Sequence, residues 1–536
     1  MGIILYIQIH MTKNQGNEIR VHKYSDRSSA PPRMVRTPRT SRALNESPSP
    51  EPRDADKICN FVSASDEELH IPQIYSNDQI TNTRDLFNAY NTTRKIWDGD
   101  LIIKDTQILL LANIFPNLTT INGNLHITNT YCLSIQGFDR LTHVTGSLVI
   151  ANNENAASIP SFPQLQSVSA VIIANNKVLR KIVGFEHLTQ SNRGIFIVDN
   201  CSLTHVCGFL CLSETNNVAI KNNTNLNSIV GFCSLTTVHE KLVIASNNTN
   251  SSNNLAINAF LLLESVSSVS IINNDGLKEL EFRALQQIHN RFDVTSNPNL
   301  ELIICMAKII GSIDVQKNDR LVSISFPETE ELTGELLVHR NNSLKTLDTF
   351  EELQRIGGGL IISDNKQLQY LRGFCDTKII KSYCPHDRTY KKTKMYSSNI
   401  YCNDNFEHKI LYEQQLVITL PSFGENVNSN LSIMIFGNPS LRYVNGFGDL
   451  KLLESSLYIA NNISLTHIDA FTHLVSVVDI WIKNNPQLKH IEGLNNLVSK
   501  RSFVVDKCDS SNKSCRLQNI FAITPRDICD MQCYSY

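Results

Sequence analysis

The chain of 536 residues has room for several domains or one long solenoid, and 49 Lys+Arg against 51 Asp+Glu leave a formal net charge of −2. That balance gives no basic footprint for nucleic acid and no overall attraction to an anionic membrane. The 14 cysteines include no CxxC pair and no Cys/His zinc spacing, which argues against zinc modules and for a disulfide-bonded extracellular protein.

Residues 1–56 carry Arg33, Arg36, Arg39, Arg42 and Arg53 among Pro, Ser and Thr without apolar periodicity, the composition of a disordered segment. The apolar start Gly2–Ile9 lacks a basic leader, is interrupted by Gln8 and has no small-residue cleavage site close behind. The expectation is therefore secretion with a signal segment that is atypical or missing from this sequence. No stretch reaches the roughly 18 apolar residues of a membrane span. Cys59 opens the ordered sequence, and Thr83 caps a predicted short helix, Arg84–Tyr90, that would cover the first rung of a repeat array.

From Asp98-Gly99-Asp100 onward one unit recurs. Leu101-Ile102-Ile103-Lys104-Asp105, Leu125-His126-Ile127-Thr128-Asn129, Leu148-Val149-Ile150-Ala151-Asn152 and Val171-Ile172-Ile173-Ala174-Asn175 are short apolar strands, each closed by Asp or Asn, with a later step of 23 residues. Further closing residues fall at Asp199, Asn222, Ser246-Asn247, Asn273, Asn297, Asn318, Asn341, Asn365, Asn438, Asn461 and Asn484. A fixed step of 20–30 residues means a solenoid whose rungs share one core. Alternate strand residues then point inward, as in Leu125/Ile127, Val171/Ile173, Val218/Ile220, Leu336/Val338 and Leu431/Ile433. The closing Asn is read as a ladder residue that also tolerates left-handed turn geometry. Leu179, Leu226, Leu300, Leu321, Leu344, Leu441 and Leu488 fill another side with the Gly-Phe pairs ending in Phe138, Phe185, Phe232, Phe374 and Phe447. The gap from Asn365 to Asn438 equals about three steps, with Leu416-Val417-Ile418 as a degenerate copy.

Cysteines divide this array. Cys201, Cys207 and Cys211 sit where the rung pattern weakens and are expected to seal a core end; a second block runs to Cys375 and Cys384; a third opens at Cys402 and closes with Cys508, Cys515, Cys529 and Cys533. Cys59, Cys132, Cys233 and Cys305 complete the disulfide candidates. The expected organisation is 1–56 disordered, 57–211, 212–384 and 403–536 as three solenoid domains, the last with a Cys-rich cap, and 385–402 as linker. Sequons occur at Asn91, Asn117, Asn200, Asn222, Asn247, Asn250, Asn341, Asn430, Asn462 and Asn512, besides Asn45, at about the frequency an Asn-rich chain gives by chance.

The Gly99–Ile103 opening, the element Leu118-Thr119-Thr120-Ile121-Asn122-Gly123-Asn124-Leu125, and Asn297-Pro298-Asn299-Leu300 leading to Cys305 resemble the receptor L domain of insulin and epidermal growth factor receptors. The likeness spans roughly residues 95–515. An array of such domains without a kinase is similar to the expanded nematode L-domain proteins. The resemblance implies an all-β fold, tandem right-handed β-helices of leucine-rich-repeat-like character with short capping helices. It also implies a non-catalytic, secreted glycoprotein that binds insulin-like or EGF-like peptides or associates with a membrane receptor. A structural or adhesive extracellular protein and a β-helical carbohydrate enzyme are the alternatives. No cofactor is implied.

Between the inward positions lies an outward row: His126, Val149, Ile172, Phe196, Ala219, Val243, Ser270, Asp293, Asp314, Leu337, Ile361, Tyr458 and Trp481. Stacked at about 4.8 Å, its apolar members would form an exposed stripe. Val149, Ile172, Phe196, Val243, Leu337, Ile361, Tyr458 and Trp481 are the ligand-binding candidates, with Phe196, Tyr458 and Trp481 as anchors. Asp293 and Asp314 match on adjacent rungs and are the only candidate acid/base pair, but no Lys, Arg or His is evident at their flanks. His467 and His490 fall at equivalent rung positions, which suggests a structural role.

Overall fold

The computed structural model describes residues 94–104, 115–381 and 431–505, apart from 136, 160–161, 250–253, 499 and 501, together with short strands at 79–80, 418–419 and 426–427. The predicted helix Arg84–Tyr90, the linker 385–402, Asn45, Asn91, Asn250, Asn430, Asn512, Cys59, Cys384, Cys402, Cys508, Cys515, Cys529 and Cys533 lie outside the described residues. Among those described, every regular element is a strand.

The apolar pairs read from the sequence are what stack. Leu101, Leu125, Leu148 and Val171 share one column of a 20-stranded parallel sheet, and Ile103, Ile127, Ile150 and Ile173 the next, all fully buried. Short parallel sheets line the other sides of the coil, for example Ser158–Ile159, Lys181–Ile182, His205–Val206, Ser228–Ile229 and Ala256–Ile257. Most rungs also contribute a buried Leu, Leu179, Leu203 and Leu226 among them, and a Phe. Rings stack face to face from Phe115 through Phe138, Phe162, Phe185, Phe209 and Phe232 to Phe260, with centroids 4.9–5.6 Å apart. The same column runs from Phe326 through Phe350, Phe374 and Phe447 to Phe471.

The two roles assigned to one Asn belong to two neighbouring residues. Asn129, Asn152, Asn175, Asp199, Asn222, Ser246, Asn273, Ser296, Lys317, Arg340, Asp364, Asn461 and Asn484 make the turn, with φ between 52° and 58°. The residue after each enters the ladder and is buried. Asn176 donates from Nδ2 to the Ile150 carbonyl (3.0 Å), and its Oδ1 accepts from the Asn153 backbone N–H (3.1 Å) and from Asn153 Nδ2 (3.1 Å). The pattern continues through Asn200, Asn223, Asn247, Asn274, Asn297, Asn318, Asn341, Asn365, Asn438 and Asn462 to Asn485. Buried backbone amides at the turn, which the sheets cannot reach, thus find acceptors.

The strand register continues at Cys201–Cys211 and across the step from Asn365 to Asn438. Around Cys201–Cys211, Leu203, Val206, Phe209 and Leu212 are fully buried, and His205–Val206 pairs on both sides. The weakened pattern there is a regular rung. The step from Asn365 to Asn438 is likewise one rung: Asn365 Nδ2 donates to Asn438 Oδ1 (3.3 Å), and Leu360 and Ile362 pair with Ile433 and Ile435. Ile418–Thr419 pairs antiparallel with Asn426–Val427 and is no degenerate copy. This register also moves the inward pair from Leu431/Ile433 to Ile433/Ile435. None of Cys201, Cys207, Cys211, Cys233, Cys305 and Cys375 is in a disulfide; Cys132 and Cys305 are buried.

Candidate functional site

Outside the core, the middle residue of each main strand forms one column. Its register runs Ile102, His126, Val149, Ile172, Phe196, Ala219, Val243, Ser270, Asp293, Asp314, Leu337, Ile361, Met434, Tyr458, Trp481 and Val504. All eight ligand-binding candidates stand in it. Ile102, Met434 and Val504 belong to it as well; Met434 escaped the sequence reading because the inward pair was placed two residues early, at Leu431/Ile433.

The row is not the exposed stripe expected. Val149, Ile172, Leu337, Ile361 and Tyr458 are buried, and only Phe196, Val243 and Trp481 of the eight are half-buried. The apolar members gather into two patches with side chains from the next outward column. One joins Val149, Ile172 and Ala174 to Ala151 and Phe196. The other joins Leu337, Ile361, Met434, Phe436, Tyr458 and Ala460, with Trp481 packed on it. Tyr458 meets Phe436 and Trp481 edge to face. His126, beside the first patch, is 2% exposed and neither ring nitrogen has a hydrogen-bond partner; burial lowers its pKa, opposed by Asp100.

Between the patches the row becomes polar at Ser270, Asp293 and Asp314. Asp293 and Asp314 are direct register partners, as the sequence implied, but their flank is not empty of cations. Arg291, two residues before Asp293 and so on the same face, places Nη2 2.5 Å from Asp314 Oδ2 and Nε 3.8 Å from Asp293 Oδ2. Thr295 donates to Asp293 Oδ1 (2.5 Å) and Gln316 to Asp314 Oδ2 (3.2 Å). Glu335 lies two rungs from Arg291 in the same column, its backbone N–H donating to Ser312 Oγ (3.2 Å).

Two carboxyl groups thus touch one guanidinium, and the field of a third, Glu335, reaches it. Burial raises the Asp293 and Glu335 pKa values, with Arg291 opposing. Burial and then the neighbouring Asp293 push Asp314 up to about 8 against the pull of Arg291. Burial would lower the Arg291 pKa, yet the three carboxylates outweigh it and raise it. Asp314 Oδ1 has no hydrogen-bond partner, in a residue only 1% exposed. Engagement of both aspartates by Arg291, Thr295 and Gln316 suits charge recognition better than paired acid/base catalysis on a sugar.

The remaining candidates divide by burial. Asn200, Asn247, Asn341 and Asn462 are fully buried ladder residues whose amide nitrogens donate to main-chain carbonyls, so those sequons cannot carry glycans in the folded chain. Asn117 and Asn222 remain half-buried at the surface. Cys305 takes the place of a Phe in the ring column, and burial pushes its thiol up to about 12, an inert packing group. His467 and His490 stack at 4.5 Å and continue the rings of Tyr370 and Tyr443. Among the described residues no three His, Cys, Asp or Glu groups could hold a metal ion, and no helix is long and apolar enough to cross a membrane.

Residues 119–216 match the family model described as receptor L domain. The match contains all of the first apolar patch and stops before the charged residues. No curated protein matches the chain.

Proposed function

We propose, from the premise that residues 119–216 are a receptor L domain, that the chain is a non-catalytic, receptor-like protein that holds a protein or peptide ligand on the outward face of its main sheet. The observation that carries the reading is the single outward column, in which two aromatic-bearing apolar patches flank a charged segment on one rigid face. Aromatic anchors on a preformed surface give contact area at low ordering cost. Phe196 and Trp481, the half-buried aromatics at the two patches, are the anchors that a ligand can still cover. The ligand class favoured by the resemblance to insulin and epidermal growth factor receptors is a secreted insulin-like or growth-factor-like peptide. An extracellular setting goes with that class, with Asn117 and Asn222 as the described sequons able to carry glycan.

The test is surface plasmon resonance with the full chain, purified from a secretory host, against a panel of secreted insulin-like and EGF-like peptides. The expected result is saturable binding, weakened about tenfold or more by Phe196→Ala or Trp481→Ala, a hot-spot-sized loss. Binding unchanged in both variants removes these anchors. No saturable binding from folded protein moves the reading to an adhesive or structural extracellular protein.

A further inference from the structure

We infer that the segment holding Asp293, Asp314 and Glu335 docks a cationic side chain, Lys or Arg, which the ligand presents between two apolar stretches; this rests on the ligand face proposed above. Charge balance is the first ground. Arg291 is in ion-pair contact with Asp314 and Asp293, and the field of Glu335 reaches it as well, so three carboxyls act on this one guanidinium. The other basic groups nearby are Lys241, two rungs before Arg291 in its column, His339, on the rung after Gln316, and Lys317 at the turn. His339 is turned to the Ser363 hydroxyl (2.7 Å).

An independent ground is Asp314 Oδ1. It is a buried acceptor without a donor, although Oδ2 of the same carboxyl takes both Arg291 and Gln316. An acceptor left so costs about 1–3 kcal/mol; Oδ1 itself is shielded from solvent, so a cation held beside the half-buried Asp293 would offset part of that cost through its field. Retention of a proton on Asp314 is consistent with the same deficit: the proton stands where a further positive charge would be favourable. An ammonium or guanidinium group fits better than a metal ion, because these donors need acceptors spread over a patch rather than converging ligands.

Position supplies the rest. Val243, Ser270 and Asp293 are half-buried where the patches on either side are mostly buried, so the row opens at this segment. At about 4.8 Å per rung, Leu337 lies one step and Ile361 two steps from Asp314 on one side, while Val243 lies two steps from Asp293 on the other. The complementary ligand therefore has a basic residue with apolar side chains roughly 10 Å away on both sides.

The experiment is an array of nonapeptides probed with the full chain. Apolar residues flank a central position occupied by Arg, Lys, norleucine, Gln or Glu. Arg- and Lys-centred peptides are expected to bind at least tenfold tighter than those with norleucine or Gln, and Glu-centred ones weakest. Asp293→Asn/Asp314→Asn should reduce that preference to less than threefold, whereas Val243→Ala, two rungs from Asp293, should weaken all centres alike. Glu335→Gln serves as the milder variant if the double one melts early, with a partial loss of preference. On the wild type, affinity for the Arg-centred peptide should rise between pH 6 and pH 8.5, as the cation displaces a proton, while that for the norleucine peptide stays flat. Peptides bound without cationic preference, and weakened by Val243→Ala, overturn the docking site and leave the ligand face standing. A preference that survives both Asn substitutions and Glu335→Gln also overturns it. Folded protein that binds no peptide in the array, yet binds a member of the hormone panel, overturns the docking site alone.

Discussion

The rungs from Phe115 to Phe260 and those from Leu277 to Phe326 are built on the same step and ladder, yet they solve the core differently. In the first region each rung places one ring on the last, and the outward row is apolar from Val149 to Phe196. In the second, Phe282 pairs in register with Cys305, so the column loses a ring. Phe292, at a position where neighbouring rungs have Val269 and Ile313, fills the space edge-on to Phe282 and Phe326, with centroids 6.4 and 5.4 Å away. That same strand, Gln287–Thr295, turns Arg291 and Asp293 outward. The next strand follows after a shorter step, where Gly311 packs so close that a Cβ would overlap the Asn290 carbonyl oxygen. The irregular rungs of the core thus lie under the charged segment of the face, while the regular ones lie under an apolar patch.

The ladder is what both regions share, and breaking it has the largest expected effect. Asn223→Ala removes the donor to the Ile197 carbonyl (3.0 Å) and the acceptor for the Asn200 backbone N–H (3.1 Å), leaving buried groups without partners. The expected cost is on the order of 4 kcal/mol, read as a lower urea midpoint. Asn222→Ala, in the half-buried turn column beside it, should cost only about 1–2 kcal/mol for its left-handed φ. Equal costs would mean that the two columns are not separate in function.

Next in size is the ring exchange. Phe292→Val gives this strand the β-branched residue of its neighbours and opens a cavity beside Cys305, with an expected loss of about 3 kcal/mol. Cys305→Phe alone overpacks the column at about 1–3 kcal/mol. The two together should recover at least half of the summed loss, because the restored ring occupies the space that Phe292 vacates. Strict additivity in denaturant titrations would show that the two regions do not trade one ring for another.

Much of this was legible in the sequence because a solenoid writes each column at a fixed step. The inward pairs, the Leu and Phe columns, the outward row and the Asp293/Asp314 match needed only period two and the repeat. The division of labour between turn and ladder was not legible, since most turns read Asn-Asn or Asp-Asn. Where Ser296, Lys317 or Arg340 makes the turn, the following Asn is the only signal, and a reading by Asn alone slides from one column to the other. The step from Asn365 to Asn438 misled because its length happens to equal about three rungs. Arg291 was missed for another reason: partners for the aspartates were sought along their own column, at Ser270, Leu337 and Ile361, rather than two residues away on the same strand. Burial of the outward row could not be read at all, since a strand residue facing away from the core carries no mark of what lies over it.

The smallest effects separate the charged segment from the apolar patch by their response to pH. The Asp314 carboxyl titrates at about 8 in the fold against an ordinary 3.8, so the folded chain binds more protons than the unfolded one across that window. Stability from this group is therefore present at low pH and lost as pH rises toward 8. His126 works in the opposite sense. Burial lowers its pKa below 6.5, the unfolded chain binds more protons there, and stability is lost as pH falls through 6.5. Asp314→Asn should raise stability by on the order of 2 kcal/mol at pH 9 and little at pH 5. His126→Leu, which matches the apolar Ile102 and Val149 on either side, should add about 1 kcal/mol, most of it at pH 5. Melting temperatures of the two variants and the wild type between pH 5 and pH 9 decide the matter. Parallel curves would remove both groups from the pH response, and an Asp314→Asn curve lowest at pH 9 would mean that its ion pair with Arg291 outweighs the cost of burying a third carboxylate.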